Sequence, residues 1–316
     1  MGALLNNIVP ILMLIAFGYY LRRRNYFEPV AIQRLTSFVA GFLVPCVLFN
    51  TFLNLDFGLE HMWLAVSFFV LVVLLLALSF VFYHFFPPKR RFYPLYYCCF
   101  AFGFMAIPLF STVFGADKMD YLAAIGVGHE VFVSVIFMTV AKLWLKNEPV
   151  SGKNIARTVV SPLFIMVGLA LIIKVFGLKE VIDATVIGHG IFETIARLGS
   201  ITTVLLMIIV GYRIRFDDRS KLVESAKLVA FRYLFTFGIG YAFKFLVMDR
   251  LAGGNVYFDY AFFTLLSQHG SVLLVAYVGE YGDQDDLEVA SSSLVINELV
   301  GIVLYLIFVF ALFGGV

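Results

Sequence analysis

The chain has 316 residues, of which 62% are hydrophobic, 17% aromatic and 14% charged, and its mean hydropathy is +0.96. A soluble domain averages about 25% charged and roughly 45–50% apolar residues, so this composition excludes a soluble enzyme. The formal net charge of +2 is too small for a nucleic-acid-binding surface, and the basic residues are scattered between apolar runs.

Long runs of Leu, Ile, Val and Phe broken by short charged segments are the signature of membrane helices rather than of a membrane β-barrel. A hydrocarbon core of about 30 Å needs roughly 20 apolar residues per helix. On that length the sequence predicts ten spans: 4–21, 33–53, 63–86, 93–115, 121–144, 158–176, 190–212, 224–248, 257–281 and 287–313. The first ends at Arg22, Arg23 and Arg24 with no small-residue cleavage site, which reads as a retained helix and not a signal peptide. Cys46, Cys98 and Cys99 all fall inside spans and read as packing residues.

The loops after spans 1, 3, 5 and 7 hold sixteen of the 23 Lys and Arg residues: Arg22–Arg24, Arg34, Lys89–Arg91, Lys142, Lys146, Lys153, Arg157, Arg213, Arg215, Arg219, Lys221 and Lys227. The opposite loops hold Lys118, Lys174, Lys179 and Arg250. The positive-inside rule then predicts a multi-pass protein of the cell membrane with both termini extracytoplasmic.

Five spans in each half, 1–150 and 151–316, give the halves opposite orientation, the arithmetic of an inverted repeat. Span 4 leads through Phe114-Gly115-Ala116-Asp117 to His129-Glu130 in span 5, and span 9 leads through Tyr281-Gly282-Asp283 to Asn297-Glu298 in span 10. Pro108 predicts a break in span 4 near Gly103–Pro108, because it lacks an N–H and clashes with the preceding turn. In span 9, Ser267, Gln268, His269 and Gly270 interrupt the apolar run at the corresponding depth. Broken helices at the midplane survive where protein or a water-filled cavity satisfies the freed backbone, and half-helix N-termini suit an anion. The expected substrate site is therefore Ala106, Ile107, Pro108 and Leu109 together with Ser267, Gln268, His269, Gly270 and Ser271.

Buried carboxylates are expensive in a membrane, so Glu130 and Glu298 read as proton- or ion-coupling sites, with His129 and Asn297 beside them. The competing reading is a neutral, hydrogen-bonded Glu that locks helix packing. Adjacent helical residues point about 100° apart, so no direct His129–Glu130 pairing is implied. His269 reads either as an anion or proton site or as a ring bonded to a freed carbonyl. Arg232 and Lys244, near opposite ends of span 8, are expected to snorkel, with Arg232 also a candidate counter-charge for an anionic substrate. Glu193 and Arg197 have the spacing of a helix ion pair, and His189 continues their stripe. The acidic segment 282–288 reads as a solvated loop. No nucleotide loop, nucleophile elbow or metal-spacing cluster is present in the sequence, so neither cofactor nor metal is expected.

Several stretches resemble the auxin efflux carrier family: Phe17-Gly18-Tyr19-Tyr20-Leu21-Arg22-Arg23, Pro45 to Phe49, Gly103-Phe104-Met105-Ala106-Ile107-Pro108-Leu109, Ile209-Val210-Gly211-Tyr212 and Tyr281-Gly282. The resemblance implies a scaffold domain, a transport domain in which helices 4 and 9 cross at their breaks, and a homodimer through the scaffold. It also implies secondary transport of small organic anions such as auxins or dicarboxylates. Two positions depart from the family pattern: Ala101 stands where members usually carry Asn, and His269-Gly270 where they carry a proline. The reading is thus an all-α carrier of a small organic anion with a proton or sodium ion as coupling partner. The alternatives are a sodium-coupled symporter of the bile-acid carrier architecture and a transporter-like sensor of a small molecule or sterol.

Overall fold

A computed structural model describes residues 2–54, 58–85, 90–146, 162–213, 219–270 and 272–313. Every regular element among them is helical. Val30–Leu53, Leu59–His84, Asp120–Leu145, Val186–Ile209 and Gln284–Leu312 are long and apolar enough to cross a membrane, and Ile165–Val175 and Val256–Ser267 are shorter apolar helices. The chain is an all-α, multi-pass membrane protein.

The helices form two compact units, each drawn from both halves of the sequence. The first comprises residues 1–56, 103–123 and 160–214. It holds α1 (Gly2–Arg23), α2 (Pro29–Phe38), α3 (Val44–Leu53), α6 (Ile107–Phe114), α9 (Pro162–Val175), α10 (Leu178–Asp183) and α11 (Val186–Arg213), and its main packings are α1 on α11, α9 on α3 and α11 on α3. Two glycines let α1 and α11 touch backbone to backbone. A Cβ on Gly18 would overlap the Ile208 carbonyl oxygen, and one on Gly211 would overlap that of Ile15. Small residues at such contacts are how membrane helices gain close packing without a hydrophobic driving force between them. Two of the stretches that resemble the carrier family are thus the two sides of one contact, which the bond from Arg22 Nη1 to the Tyr212 carbonyl extends at 3.3 Å. On the surface of this unit, Arg197 pairs with Glu193 at 3.5 Å, as their spacing predicts, and His189 pairs with Asp183.

The second unit comprises residues 57–102, 124–159 and 215–316. It holds α4 (Leu59–Phe85), α5 (Tyr93–Tyr96), most of α7 (Asp120–Phe132), α8 (Met138–Lys146), α12 (Arg219–Phe243), α13 (Asp249–Leu251), α14 (Val256–Ser267), α15 (Val272–Tyr281) and α16 (Gln284–Phe313). A Cβ on Gly128 would overlap the Ala65 carbonyl, which fixes α7 against α4, and one on Gly301 would overlap that of Ser267, which fixes α16 against α14.

Charge is distributed unequally between the units. Thr36 and Thr202 are the buried polar side chains described in the first unit, whereas the second buries His129, Glu130, Arg232, Lys244, Gln268, His269, Asn297 and Glu298. Arg232 and Lys244 do not snorkel. Lys244, itself buried, pairs with Asp249 at 2.6 Å and Asp259 at 2.7 Å, two partly exposed carboxylates, one on α13 and one on α14. Towards the other end of α12, Arg90 binds Glu224 at 2.6 Å, Asp285 at 2.6 Å and Asp286 at 2.7 Å, and Lys221 also reaches Asp285. The acidic segment expected as a solvated loop is mostly the first turn of α16, held in this clasp.

Candidate functional site

The break in the fourth span lies at Tyr97–Ala101, upstream of the expected Gly103–Pro108. From Phe102 to Ala106 the chain forms a π-helical turn, and α6 follows with Pro108 in its first turn. Pro45 occupies the same place in α3, after the π turn Val39–Leu43. The wider turn removes the register in which the proline ring would clash with a carbonyl four residues back, so neither proline breaks its helix.

What opens the chain at Tyr97–Ala101 is a set of partners for its backbone. The Phe100 N–H donates to His129 Nε2 at 3.0 Å and the Ala101 N–H to the His269 carbonyl at 3.0 Å. The carbonyls of Tyr96 and Cys99 accept from the Arg232 guanidinium, the second at 2.6 Å. Backbone groups exposed at a membrane-depth break are costly unless paired, and here side chains and a second chain segment pair them.

The second interruption, Gln268–Gly270, falls where the sequence places it. Arg232 Nη2 donates to the Gln268 carbonyl at 3.3 Å. With its amide oriented by its hydrogen-bond network, Asn297 accepts from the Gly270 N–H at 3.3 Å and from Arg232 Nε at 3.1 Å, and donates to the Tyr233 hydroxyl at 2.7 Å. Gly270 has no left-handed backbone, and an added Cβ would meet ordinary contacts, the nearest being the Tyr96 carbonyl at 3.5 Å. The hydrogen bonds therefore shape this break, and glycine's conformational freedom does not.

Two histidine–glutamate pairs adjoin the crossing. His129 Nδ1 lies 3.2 Å from Glu130 Oε1, although the residues are sequence neighbours. His269 Nδ1 is bonded to the Gly270 carbonyl at 2.6 Å, and its Nε2 lies 3.9 Å from Glu298 Oε1. Glu130 and Glu298 are 6% and 3% exposed. At about 1.5 Å per residue, Glu130 is roughly 15 Å along its helix and Glu298 roughly 21 Å.

Of the residues expected at the site, the second unit gathers Ser267, Gln268, His269, Gly270, Arg232, His129, Glu130, Asn297 and Glu298. Ala106, Ile107, Pro108 and Leu109 are buried at the head of α6 in the first unit, and Ser271 lies outside the described residues. Sequence reasoning missed Tyr96, Cys99, Phe100 and Tyr233. The first three act chiefly through backbone atoms, and Tyr233 donates its hydroxyl to the Ser267 carbonyl at 2.9 Å, so no motif could have revealed them. Among the described residues no group of His, Cys, Asp and Glu side chains could hold a metal ion.

The two interruptions meet through the Ala101–His269 backbone bond beside buried ionisable side chains. Residues 3–146 match the family model described as Membrane transport protein, the auxin efflux carrier-type membrane transport family. Over these residues, just under half of the chain, it is similar to membrane transport proteins of that type. No curated protein matches the chain.

Proposed function

We propose that the chain is a ten-span secondary carrier of a small organic anion, linked to proton movement, with residues 1–150 and 151–316 as inverted repeats and both termini outside the cell membrane. The observation that carries this reading is the crossing at Ala101 and His269, with a buried His–Glu pair on each side. The repeat is supported by matching pairs of contacts. The packing of α1 on α11, spans 1 and 7, has its counterpart in α9 on α3, spans 6 and 2. His129 in span 5 accepts a break N–H, and Asn297, its counterpart in span 10, accepts another.

An anionic cargo fits the polarity that the breaks leave over. Arg232 covers carbonyls at the ends of α5 and α14, while α15 begins just after the second break, so that chain direction turns its N-terminal end towards that break. Helix N-termini bear partial positive charge and unpaired N–H groups, which attract carboxylates. The proton link rests on Glu130, whose partner His129 holds the backbone of the first break.

The test is thermal stabilisation of the purified protein by a panel of small mono- and dicarboxylates at pH 5.5 and 7.5, followed by flux of any stabilising compound in proteoliposomes. Stabilisation that weakens in His269→Ala, with flux of the same compound, is expected. Stabilisation without flux would make the chain a binding protein, and no response to any carboxylate would remove the anionic cargo.

A further inference from the structure

Four oxygen atoms from three separate segments of the second unit converge on one buried cation. They are the carbonyl oxygens of Tyr96 at the end of α5, of Cys99 in the first interruption and of Gln268 in the second, and the side-chain oxygen of Asn297 on α16. The cation is the guanidinium of Arg232, 0% exposed, with its central carbon 5.4 Å from the Tyr96 ring centroid and 5.0 Å from that of Phe100. All four acceptors are neutral. Tyr96 and Gln268 lie at the C-terminal ends of α5 and α14, where carbonyls lack intrahelical partners, and the twelve residues of α14 add a dipole whose negative end points the same way.

Converging neutral oxygens, mostly main-chain carbonyls, form the kind of cage with which proteins replace the hydration shell of an alkali cation. We propose that Arg232 is a tethered counter-ion filling a monovalent-cation position at the crossing, so that the two interruptions assemble with no inorganic cation. The guanidinium suits this position because it is planar, carries five N–H donors in fixed directions, is weakly hydrated and stacks on aromatic rings. Being covalently held, it cannot leave with the cargo, so a sodium gradient has nothing to act on at this position. The inference goes beyond the proposed function, because it holds whatever the carrier moves and is read without a transport assay.

The experiment compares thermal unfolding of the purified wild type, Arg232→Lys, Arg232→Gln and Arg232→Ala in choline chloride, then with choline replaced by sodium, potassium or methylguanidinium at constant ionic strength. The wild type is expected to unfold at the same temperature in all four salts. Arg232→Lys, which keeps the charge, should remain closer to wild type than Arg232→Gln, which keeps N–H donors without charge. Arg232→Ala should unfold earlier in choline and recover at least half of the loss in methylguanidinium or sodium. A saturable sodium response of the wild type would overturn the proposal, as would Arg232→Ala unfolding with wild type in choline or failing to respond to any small cation. Should Arg232→Ala not fold, the other three proteins decide, and equal losses in Arg232→Lys and Arg232→Gln would count against a role for the charge.

Discussion

The main-chain N–H of Phe100 donates to Nε2 of His129 at 3.0 Å, and this bond fixes which nitrogen of the ring carries the proton. An Nε2 that accepts has its lone pair free, so in the neutral ring the proton resides on Nδ1, facing Glu130 Oε1 at 3.2 Å. A second proton on the ring would displace the Phe100 N–H. The protonation state of the His129–Glu130 pair is in this way connected to the backbone of the first interruption.

Two substitutions separate the acceptor from the ring. His129→Gln keeps an oxygen for the Phe100 N–H and should lower stability by less than about 1 kcal/mol, whereas His129→Leu strands a buried donor and should cost about 1–3 kcal/mol. Thermal or denaturant unfolding in detergent measures both. Equal losses would mean that the Phe100 bond contributes nothing of its own.

Glycine positions give a second, sharper contrast. Gly18→Ala and Gly211→Ala place a methyl group inside a neighbouring carbonyl, and overpacking of this kind costs about 1–3 kcal/mol because a whole helix has to move. Gly270→Ala, at the centre of the crossing, meets nothing nearer than 3.5 Å and should change stability by less than about 0.5 kcal/mol. Ranking the three melting temperatures checks this, and a Gly270→Ala loss as large as the others would show that the break needs glycine after all.

Much of this arrangement was legible in the sequence, and the misreadings share a cause. Apolar runs gave the helices, and Ser267–Gly270 marked the second interruption, since consecutive polar residues in a membrane span need a special environment. Pro108 misled for the first: the proline has a local remedy in the preceding π turn, and the real opening is made by remote partners, His129, Arg232 and His269. Arg232 looked like a residue that snorkels; it is buried and binds backbone carbonyls, which carry no sequence signal. The pairing of His129 with Glu130 escaped a rule based on ideal helix directions.

The Arg90 clasp should behave as a surface ion network. Its three carboxylate partners range from one-sixth to one-half exposed, so Arg90→Ala is expected to cost about 1–2 kcal/mol at low salt, and less as ionic strength rises. Arg90→Lys should recover only part, since an ammonium cannot fork to Glu224 and two aspartates together. The Glu224 carboxylate beside it holds the Arg90 guanidinium above its ordinary pKa. A base raised in this way contributes its full stability below its unfolded pKa, so the difference between Arg90→Ala and wild type should be flat through neutral pH. It should shrink only on acidification, when the carboxylates take up protons. Unfolding measured from pH 4 to pH 9 at two salt concentrations tests this, and a loss indifferent to salt would contradict it.

The central claim is that Glu130 carries the proton that drives this carrier. Glu130→Gln tests it cleanly, because a glutamine oxygen can still accept from His129 Nδ1 while no longer titrating. The decisive measurement compares two modes of transport in proteoliposomes for any carboxylate that binds: accumulation driven by a pH gradient, and exchange of labelled for unlabelled compound at equal pH. Glu130→Gln is expected to abolish gradient-driven accumulation and retain exchange. Accumulation that persists in the variant at the wild-type level would contradict the account.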